Sequence, residues 1–263
     1  MGVRNKRPDL NGVLVIDKPY GWTSAKAVAF ARRATGGAKV GHAGTLDPLA
    51  TGVLVLCIGR ATRLVESFMN SPKAYRATID LSRTSESHDL ERDTSVVPVA
   101  CPPNRVEVEA ALTKFVGSIL QMPPAHSAVK LGGKRAYDLA RRGRLSDTGG
   151  GDDAGSGMDG HAPAEAALKL EPKRVRIDAL SILSYEWPLL AVAIDCGRGT
   201  YIRSLARDLG AALGTGGVLT GLVRTRSGSF SIEDAKPVTV FDQPIGAAQI
   251  IPITPEKPAA NQN

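Results

Sequence analysis

The chain has 263 residues, of which 43% are hydrophobic, so it can bury a core, and its length allows one large domain. Lysine and arginine number 33 against 26 acidic residues, and the net charge of +7 favours a polyanionic partner such as nucleic acid. The 3 cysteines show no paired spacing, which argues against a disulfide framework or a zinc site, and no apolar run reaches the ~20 residues of a membrane span. Because the N-terminus also lacks the apolar segment of a signal peptide, we predict a cytosolic protein.

The N-terminal region is predicted to be flexible over residues 1–10 and then to form a strand and a helix. Gly12–Asp17, GVLVID, is typical of a short strand, and the KPYG sequence after it is typical of a turn. Thr23 is expected to cap a helix that ends at about Ala34, before a glycine pair. Nothing in the turn itself points to catalysis by Lys18, so we predict a structural role for this lysine.

The stretch from Val40 to Gly59 combines a buried strand with an unusual loop. Six apolar residues from Val53 to Ile58, VLVLCI, are rich in β-branched side chains and indicate a strand buried on both faces. The loop before it contains three glycines and a proline, which permit sharp backbone angles. This loop is therefore the centre of the candidate site.

Asp47 lies in the middle of this loop, between Leu46 and Pro48. The proline disfavours helical geometry at Asp47, so the carboxylate is expected on an extended backbone. Leu46 and Leu49 indicate that the loop packs inward, and a carboxylate in apolar surroundings is costly unless something pairs with it. The alternative is an aspartate that caps a turn, which is the common role of Asp-Pro pairs. The number of constraints on this one carboxylate favours a functional role.

A helix and a strand are predicted after the central strand. Apolar residues at 61, 64, 65, 68 and 69 share one face of a helix that ends before Pro72. Lys73–Leu81, KAYRATIDL, alternates apolar and polar residues as a strand does. Tyr75 lies at the start of this strand, where a ring can project into a cleft. The alternative for Tyr75 is an ordinary tyrosine at the edge of the core.

The middle of the chain is predicted to alternate between connections and short elements. Leu81–Asp93 is a polar connection, and Asn104 is expected to cap an amphipathic helix. Gln121–Gly143 indicates an extended piece followed by a short basic helix. Residues 146–165 begin with SDTGGGDDAGSGMDG, a composition that cannot build a core, so we predict a disordered insertion there.

A second glycine-containing connection follows two predicted strands, Val175–Trp187 and Leu189–Cys196. Thr200 is expected to cap the next helix, whose first turn contains Tyr201 and Arg203. Both side chains lie off the apolar face of that helix, at a strand-to-helix connection of the kind that often holds a functional site. The alternative for Arg203 is a solvated surface arginine.

The last core segment is Leu219–Phe230, LTGLVRTRSGSF. Arg224 and Arg226 are two residues apart, so both are expected on one face of a strand. Residues 251–263 are predicted to form a flexible tail because they are rich in proline, alanine and asparagine. We therefore expect one catalytic domain over residues 11–250.

Ordered segments between residues 12 and 230 resemble the motifs of the TruB family, the tRNA pseudouridine-55 synthases. GHAGTLDPLATGVLVLCIGRATRL resembles the catalytic motif of that family, and KPYGWTS, KAYR, GTYIR and LVRTRSGSF resemble its other motifs. The resemblance implies an α+β fold with a mixed, largely antiparallel, bent sheet flanked by helices. It also implies isomerisation of uridine to pseudouridine in the T-loop of tRNA, a reaction that needs no cofactor.

The resemblance implies a role for each site residue. Asp47 is the catalyst, as a nucleophile or as a base at the sugar, and Arg203 pairs with it, as the two-point match of guanidinium and carboxylate allows. Tyr75 stacks on the target uracil, and stacking on an aromatic ring contributes ~1–3 kcal/mol. The other implied substrate-binding residues are Tyr201, Leu222 and His42. His126, where the family usually has tyrosine, is a further candidate to support the pocket.

The expected partner is the T-arm of tRNA, bound by a monomer without a metal, a cofactor or a membrane. The basic stretch Lys130–Arg144 and the strand arginines Arg224 and Arg226 are expected to contact its phosphates. Two alternatives stay open: a pseudouridine synthase for another RNA, and a tRNA-binding folding chaperone in which catalysis is secondary. The intact set of site residues argues against a loss of catalysis.

Overall fold

A computed structural model describes residues 10–124, 130–131, 134–135 and 170–253 of the chain. Its α-helices are α1 (Ser24–Ala34), α2 (Val65–Asn70), α3 (Arg105–Thr113) and α4 (Ile202–Leu213). Its strands are β1 (Gly12–Lys18), β2 (Val40–His42), β3 (Ala50–Ile58), β4 (Lys73–Asp80), β5 (Arg83–Ser85), β6 (Thr94–Val96), β7 (Gly117–Gln121), β8 (Lys130–Leu131), β9 (Lys134–Arg135), β10 (Lys173–Glu186), β11 (Leu189–Cys196), β12 (Val218–Ser227), β13 (Phe230–Ser231) and β14 (Lys236–Pro237). His126 and the predicted insertion over 146–165 lie outside the described residues.

The chain forms two compact units. The first unit comprises Met1–Ala77, Ala193–Arg198 and Gly221–Asn263, and the second comprises Thr78–Val192 and Gly199–Thr220. Helices and a mixed sheet occur together, as the α+β class predicts. No helix in the described part of the chain is both long and apolar enough to cross a membrane.

The first unit is built on the strand order β14-β1-β3-β12-β4-β11, with β2 and β13 paired at the side of this path. Strand β3 pairs antiparallel with β1, from Gly12 opposite Ile58 to Lys18 opposite Gly52, and parallel with β12. Every side chain from Val53 to Ile58 is buried, which confirms the strand predicted from the VLVLCI run. The core of this unit therefore lies against both faces of β3.

Helix α1 begins and ends where the sequence predicts. The Thr23 hydroxyl accepts a hydrogen bond from the Lys26 amide, and the helix ends at Ala34, just before Gly36 with φ 69°. Its small residues Ala27 and Ala31 are buried against the core that includes Leu14 and Leu56. Small side chains let the helix approach the strands closely, and this packing brings the start of α1 next to the loop before β3.

The second unit follows the strand order β12-β4-β11-β10-β7 and also contains the β5–β6 hairpin. Asn104 caps α3 with a capping box that Glu107 completes, as predicted for an N-cap at this position. Helix α4 ends at Gly214, whose φ of 69° is the left-handed conformation that glycine adopts without strain. Its buried face includes Leu205 and Leu209.

Two local predictions are wrong. The segment after β3 is not one helix but a 3-10 helix, Gly59–Leu64, followed by the short α2, and Leu64 and Met69 are exposed. Helix α4 is capped at Tyr201 and not at Thr200, and Tyr201 makes no side-chain capping bond. In its place the buried side chain of Gln121 receives the Tyr201 amide, a contact that sequence spacing cannot reveal because β7 supplies it.

Candidate active site

The loop that carries Asp47 connects β2 to β3 and is held at several points. The Ser24 hydroxyl, at the start of α1, accepts from the Leu46 amide at 2.9 Å and donates to the Leu46 carbonyl at 3.1 Å. The Pro48 carbonyl accepts from the Gly21 amide at 2.8 Å, and the Ala50 amide donates to the Asp47 carbonyl at 3.0 Å. The backbone on both sides of Asp47 is therefore fixed by the core.

The side chains of this loop follow the predicted pattern. Leu46 and Leu49 are buried, whereas Asp47 between them is half-buried. Leu46 belongs to the same core cluster as Ala50 and Leu54 of β3. The two leucines anchor the loop, so the carboxylate of Asp47 is placed at the boundary between core and solvent, where a substrate can reach it.

Lys18 supports the turn beside this loop. Its side chain is fully buried at the end of β1, and Nζ donates to the carbonyl oxygens of Trp22 at 2.6 Å and Pro19 at 3.0 Å. Burial lowers the pKa of Lys18 to about 8; nearby Asp47 opposes this shift and Arg224 adds to it. These main-chain contacts agree with the structural role predicted for Lys18, because they fix the turn whose Gly21 amide binds the loop.

Tyr75 and Leu222 lie in the same unit as Asp47. Both are partly buried and pack against the core cluster that contains Leu46 and Ala50. Leu222 on β12 is paired with Ala50 on β3, three residues after Asp47. Burial raises the pKa of the Tyr75 hydroxyl, and the charge of Asp47 contributes to the same shift. The structure therefore brings together three of the predicted site residues, Asp47, Tyr75 and Leu222.

Arg224 was expected to face RNA, and this prediction is wrong. Only 1% of its surface is exposed, and its guanidinium donates to main-chain carbonyls on β3 and on the Asp47 loop. Arg226, two residues later, is partly exposed and donates to the Asp195 carboxylate at 2.6 Å. Arg224 and Arg226 lie on one face of β12, as their spacing predicts, but the Asp47 loop covers only Arg224.

His42 is the last residue of β2 and is paired with Leu56 of β3. It is half-buried, and its ring Nδ1 is buried. The residue is thus held by the same strand that follows the Asp47 loop. Its predicted role in base extrusion stays a prediction.

Tyr201 and Arg203 lie at the start of α4 in the second unit. The Tyr201 amide donates to Gln121 Oε1 at 2.8 Å, and Gln121 Nε2 donates to the Tyr201 carbonyl at 3.1 Å. Arg203 was expected off the buried face of the helix, but it is only 6% exposed. Its Nη1 lies 3.3 Å from the Ser87 carbonyl and 3.5 Å from Asp89 Oδ2. Arg203 is therefore a buried cation held by the loop after β5.

Asp89 is a buried carboxylate that the sequence interpretation missed. It is fully buried, and its Oδ1 accepts from the Ser87 hydroxyl at 2.5 Å and from the Glu91 amide at 2.9 Å. The Asp89 carbonyl accepts from the Ser85 hydroxyl at 2.7 Å. The polar segment 81–93 resembles a solvated connection by composition, and no periodicity distinguishes Asp89 from its acidic neighbours. Only the packing of α4 over this loop identifies it.

Comparison with known proteins places these residues in context. A family model described as TruB family pseudouridylate synthase, N-terminal domain, matches residues 32–148. The tRNA pseudouridine synthase B of Bacteroides fragilis is 43% identical over 227 residues, which cover 84% of this chain and 88% of that protein. The protein of the same name from Gloeobacter violaceus is 39% identical over 255 residues, which cover 96% of this chain and 80% of that protein.

A solved structure gives the same picture at the level of the fold. A chain in the crystal structure of a Cbf5-Nop10-Gar1 complex matches with a TM-score of 0.60 at 27% identity. The match covers 89% of this chain but 55% of that one, so this chain spans about half of its length.

Proposed function

Because this chain belongs to the TruB family of pseudouridylate synthases, we propose that it isomerises uridine to pseudouridine at position 55 in the T-loop of tRNA. The reaction breaks the bond between N1 of uracil and C1′ of ribose, turns the base and joins C5 to C1′. The proton on C5 is lost and N1 gains one, so no redox partner is required. The proposal matches a basic chain of net charge +7.

One observation carries the proposal: a half-buried carboxylate, Asp47, on a loop whose backbone is fixed on both sides. An aspartate that only caps a turn does not need a loop anchored to α1, to the turn after β1 and to β3 at once. Tyr75 and Leu222 pack against the core beside this loop and offer an aromatic and an aliphatic surface for a flipped base. A fixed nucleophile or base next to such a surface suits chemistry on an extruded nucleotide.

We assign the remaining roles from the family motifs. Asp47 acts as nucleophile or as base at the sugar, Tyr75 stacks on the uracil, and Arg203 pairs with Asp47. The other residues assigned to base binding are Tyr201, Leu222 and His42.

The proposed partner is the T-arm of a tRNA bound by one copy of the chain in the cytoplasm, where tRNA is abundant. Phosphate contacts dominate the affinity of such complexes, and the basic stretch Lys130–Arg144 is their proposed source. A pseudouridine synthase that acts on another RNA is the second candidate, because the motifs of the family do not name the RNA.

Asp47→Asn tests the central assignment. Asparagine has nearly the same size, so the loop should pack normally, but it cannot act as nucleophile or base. We expect tritium release from uridine labelled at carbon 5 of tRNA to fall below detection. Affinity for tRNA, measured by filter binding, should stay within about tenfold, or ~1.4 kcal/mol, because a carboxylate does not attract a polyanion.

The matched control is Asp178→Asn, which changes an exposed carboxylate on β10. It should release tritium at the wild-type rate. Substantial release by Asp47→Asn would refute the catalytic assignment. Loss of both folding and binding would make Asp47 a structural turn residue.

The RNA itself is tested by mapping pseudouridine in cells with and without the gene. The proposal predicts that the signal at tRNA position 55 is lost and that ribosomal RNA is unchanged. Loss of sites in another RNA with position 55 intact would favour the second candidate. Intact pseudouridine everywhere, with a defect in tRNA folding, would favour a chaperone.

A further inference from the structure

We propose that Arg224 is a positioning residue whose buried guanidinium holds the Asp47 loop in its working place beside Tyr75. This inference rests on the proposed function, because it assigns the residue that sets the geometry of that same site. It concerns only residues of the first unit, all of which the structure describes.

The contacts of Arg224 point to the loop. Nε donates to the Val53 carbonyl of β3 at 2.7 Å, and Nη2 donates to the Gly44 carbonyl at 3.1 Å. Nη1 lies 3.5 Å from the Thr45 carbonyl, two residues before Asp47. One planar group thus links β12, β3 and the loop. Since the guanidinium is rigid, the loop carbonyls cannot shift without losing these bonds.

Arg224 also lies close to the stacking residue. Burial raises the pKa of the Tyr75 hydroxyl, and the charge of nearby Arg224 opposes this rise; Tyr75 lies on β4. The same side chain therefore contacts the carrier of the proposed catalyst and lies beside the proposed platform for the base. A shift of Arg224 would change the distance between Asp47 and the Tyr75 ring, and this distance decides whether the flipped uridine meets the carboxylate.

Two glycines of this region are required for different reasons. Gly52 of β3 is paired with Arg224 and has φ 95°, and a Cβ there would lie 2.3 Å from the Arg224 carbonyl, so the two strands approach closely at Arg224. Gly44 has φ 103°, and a Cβ there would make an ordinary contact with Arg224 Nη1 at 3.5 Å. Gly44 therefore supplies the backbone angle that turns its carbonyl toward the guanidinium.

Charge alone does not explain this arrangement. The residues around Arg224 already include the buried Lys18 and Lys73, and Arg224 contributes to the lowered pKa of both. A third buried cation is costly there unless its fixed donors are needed. Lysine offers a point charge on a flexible stem, whereas the planar guanidinium of Arg224 donates to β3 and to the Asp47 loop at the same time. The fixed geometry of these donors favours arginine at this position.

Arg224→Lys tests the inference, with Arg105→Lys on the exposed face of α3 as the matched control. Single-turnover conversion of uridine in saturating tRNA should slow about 100-fold, because a misplacement near 1 Å costs about this much. The dissociation constant for tRNA should change less than about threefold, since Arg224 is buried. A merely structural residue would lower the melting temperature and leave the rate of the folded enzyme unchanged.

Amide hydrogen exchange gives a readout that does not depend on the reaction. In Arg224→Lys the Leu46 and Ala50 amides should exchange at least about tenfold faster, while Leu112 in α3 exchanges as in the wild type. If the wild-type enzyme made no pseudouridine in tRNA, the proposed function would fail and the exchange data would still decide about Arg224. Wild-type exchange or a wild-type turnover rate in Arg224→Lys would overturn the inference.

If Arg224→Lys does not fold, Gly44→Ala is a second variant that disturbs the contact between Arg224 and the loop from the loop side. The added methyl group meets Arg224 Nη1 and strains a backbone with φ 103°. We expect the same pattern of slow conversion, nearly unchanged affinity and faster exchange at Leu46. Normal conversion by this variant would show that the loop carbonyls need not stay on Arg224, and the inference would be wrong.

Discussion

Each of the two units buries one arginine, and the two arginines have different partners. Arg203, 6% exposed in the second unit, lies 3.5 Å from the fully buried Asp89 carboxylate. Arg224, 1% exposed in the first unit, donates to three main-chain carbonyls, and its charged neighbours include Lys18 and Lys73. One arginine is balanced by an opposite charge, whereas the other is solvated by carbonyl dipoles in a region rich in cations.

This difference shows what each arginine can do. A guanidinium paired with a buried carboxylate has its orientation and its charge fixed in place by that ion pair. A guanidinium bound to main-chain carbonyls fixes the position of the backbone that carries them. The comparison therefore separates an arginine that presents a charge from an arginine that shapes a loop.

Arg203→Ala should give the largest effect on stability. Removal of the cation leaves the Asp89 carboxylate buried without its ion pair, which costs ~3–5 kcal/mol of the free energy of unfolding. Urea unfolding followed by circular dichroism measures this loss. Arg105→Ala, which removes an exposed pair with Glu109 on α3, should cost ~0.3–0.5 kcal/mol. Equal losses for the two variants would show that Asp89 and Arg203 are not a stabilising pair.

Arg203→Lys separates charge from geometry in the same pair. A lysine keeps the positive charge but lacks the planar fork, so the variant should fold and should convert uridine about 100-fold more slowly. Tritium release at saturating tRNA checks this, with Arg105→Lys as the control. A wild-type rate for Arg203→Lys would mean that Arg203 does not orient Asp47.

The cation-rich surroundings of Arg224 predict a rise of stability in mild base. Burial lowers the pKa of Lys18 and of Lys73 to about 8 from 10.5, so above pH 8 the unfolded chain binds more protons than the folded one. The free energy of unfolding should then increase by about 1–2 kcal/mol between pH 8 and pH 9. Burial raises the pKa of Cys57 to about 11 from 9.0, which makes the rise less steep above pH 9, and the rise ends as the lysines of the unfolded chain lose their protons near pH 10.5.

Urea unfolding at fixed ionic strength and several pH values measures this slope. Lys73→Met should lose about half of the rise, and Lys114→Met, an exposed position after α3, should lose none. A free energy of unfolding that falls between pH 8 and pH 9 would show that the pKa values of the two lysines are not lowered in the folded protein. The comparison of the two arginine sites would then rest on geometry alone.

Substitution of Arg226 should have the smallest effect of these changes. It tests whether the exposed arginine of β12 contacts RNA, in contrast to the buried Arg224. Its side chain is 38% exposed, so it remains a candidate for a phosphate contact, unlike Arg224. Arg226→Gln should weaken tRNA binding only a few-fold and reduce the slope of log affinity against log salt by about one. Filter binding over a salt series checks this, with Arg105→Gln as the control of equal charge. An unchanged slope would show that Arg226 on β12 does not contact the RNA.

Local sequence signals predicted the elements that depend on neighbouring residues. The apolar run of β3, the Thr23 cap of α1 and the Asn104 cap of α3 were all correctly identified, because neighbouring residues alone encode a strand buried on both faces and a helix cap. The helix predicted after β3 was wrong because apolar spacing does not distinguish an α-helix from a 3-10 helix followed by a short α turn. The glycine-rich, proline-flanked loop singled out Asp47, whose catalytic role stays a prediction.

The sequence by itself determined the buried strand, the anchored loop and the family motif around Asp47. Only the tertiary structure decided which charged side chains are buried. Arg224 meets the Val53 carbonyl across 171 residues of chain, and Arg203 meets the Ser87 carbonyl across 116. A long polar side chain is buried only where distant segments supply enough acceptors to replace water, and no local pattern encodes that supply. Asp89 was missed for the same reason, because its burial depends on α4.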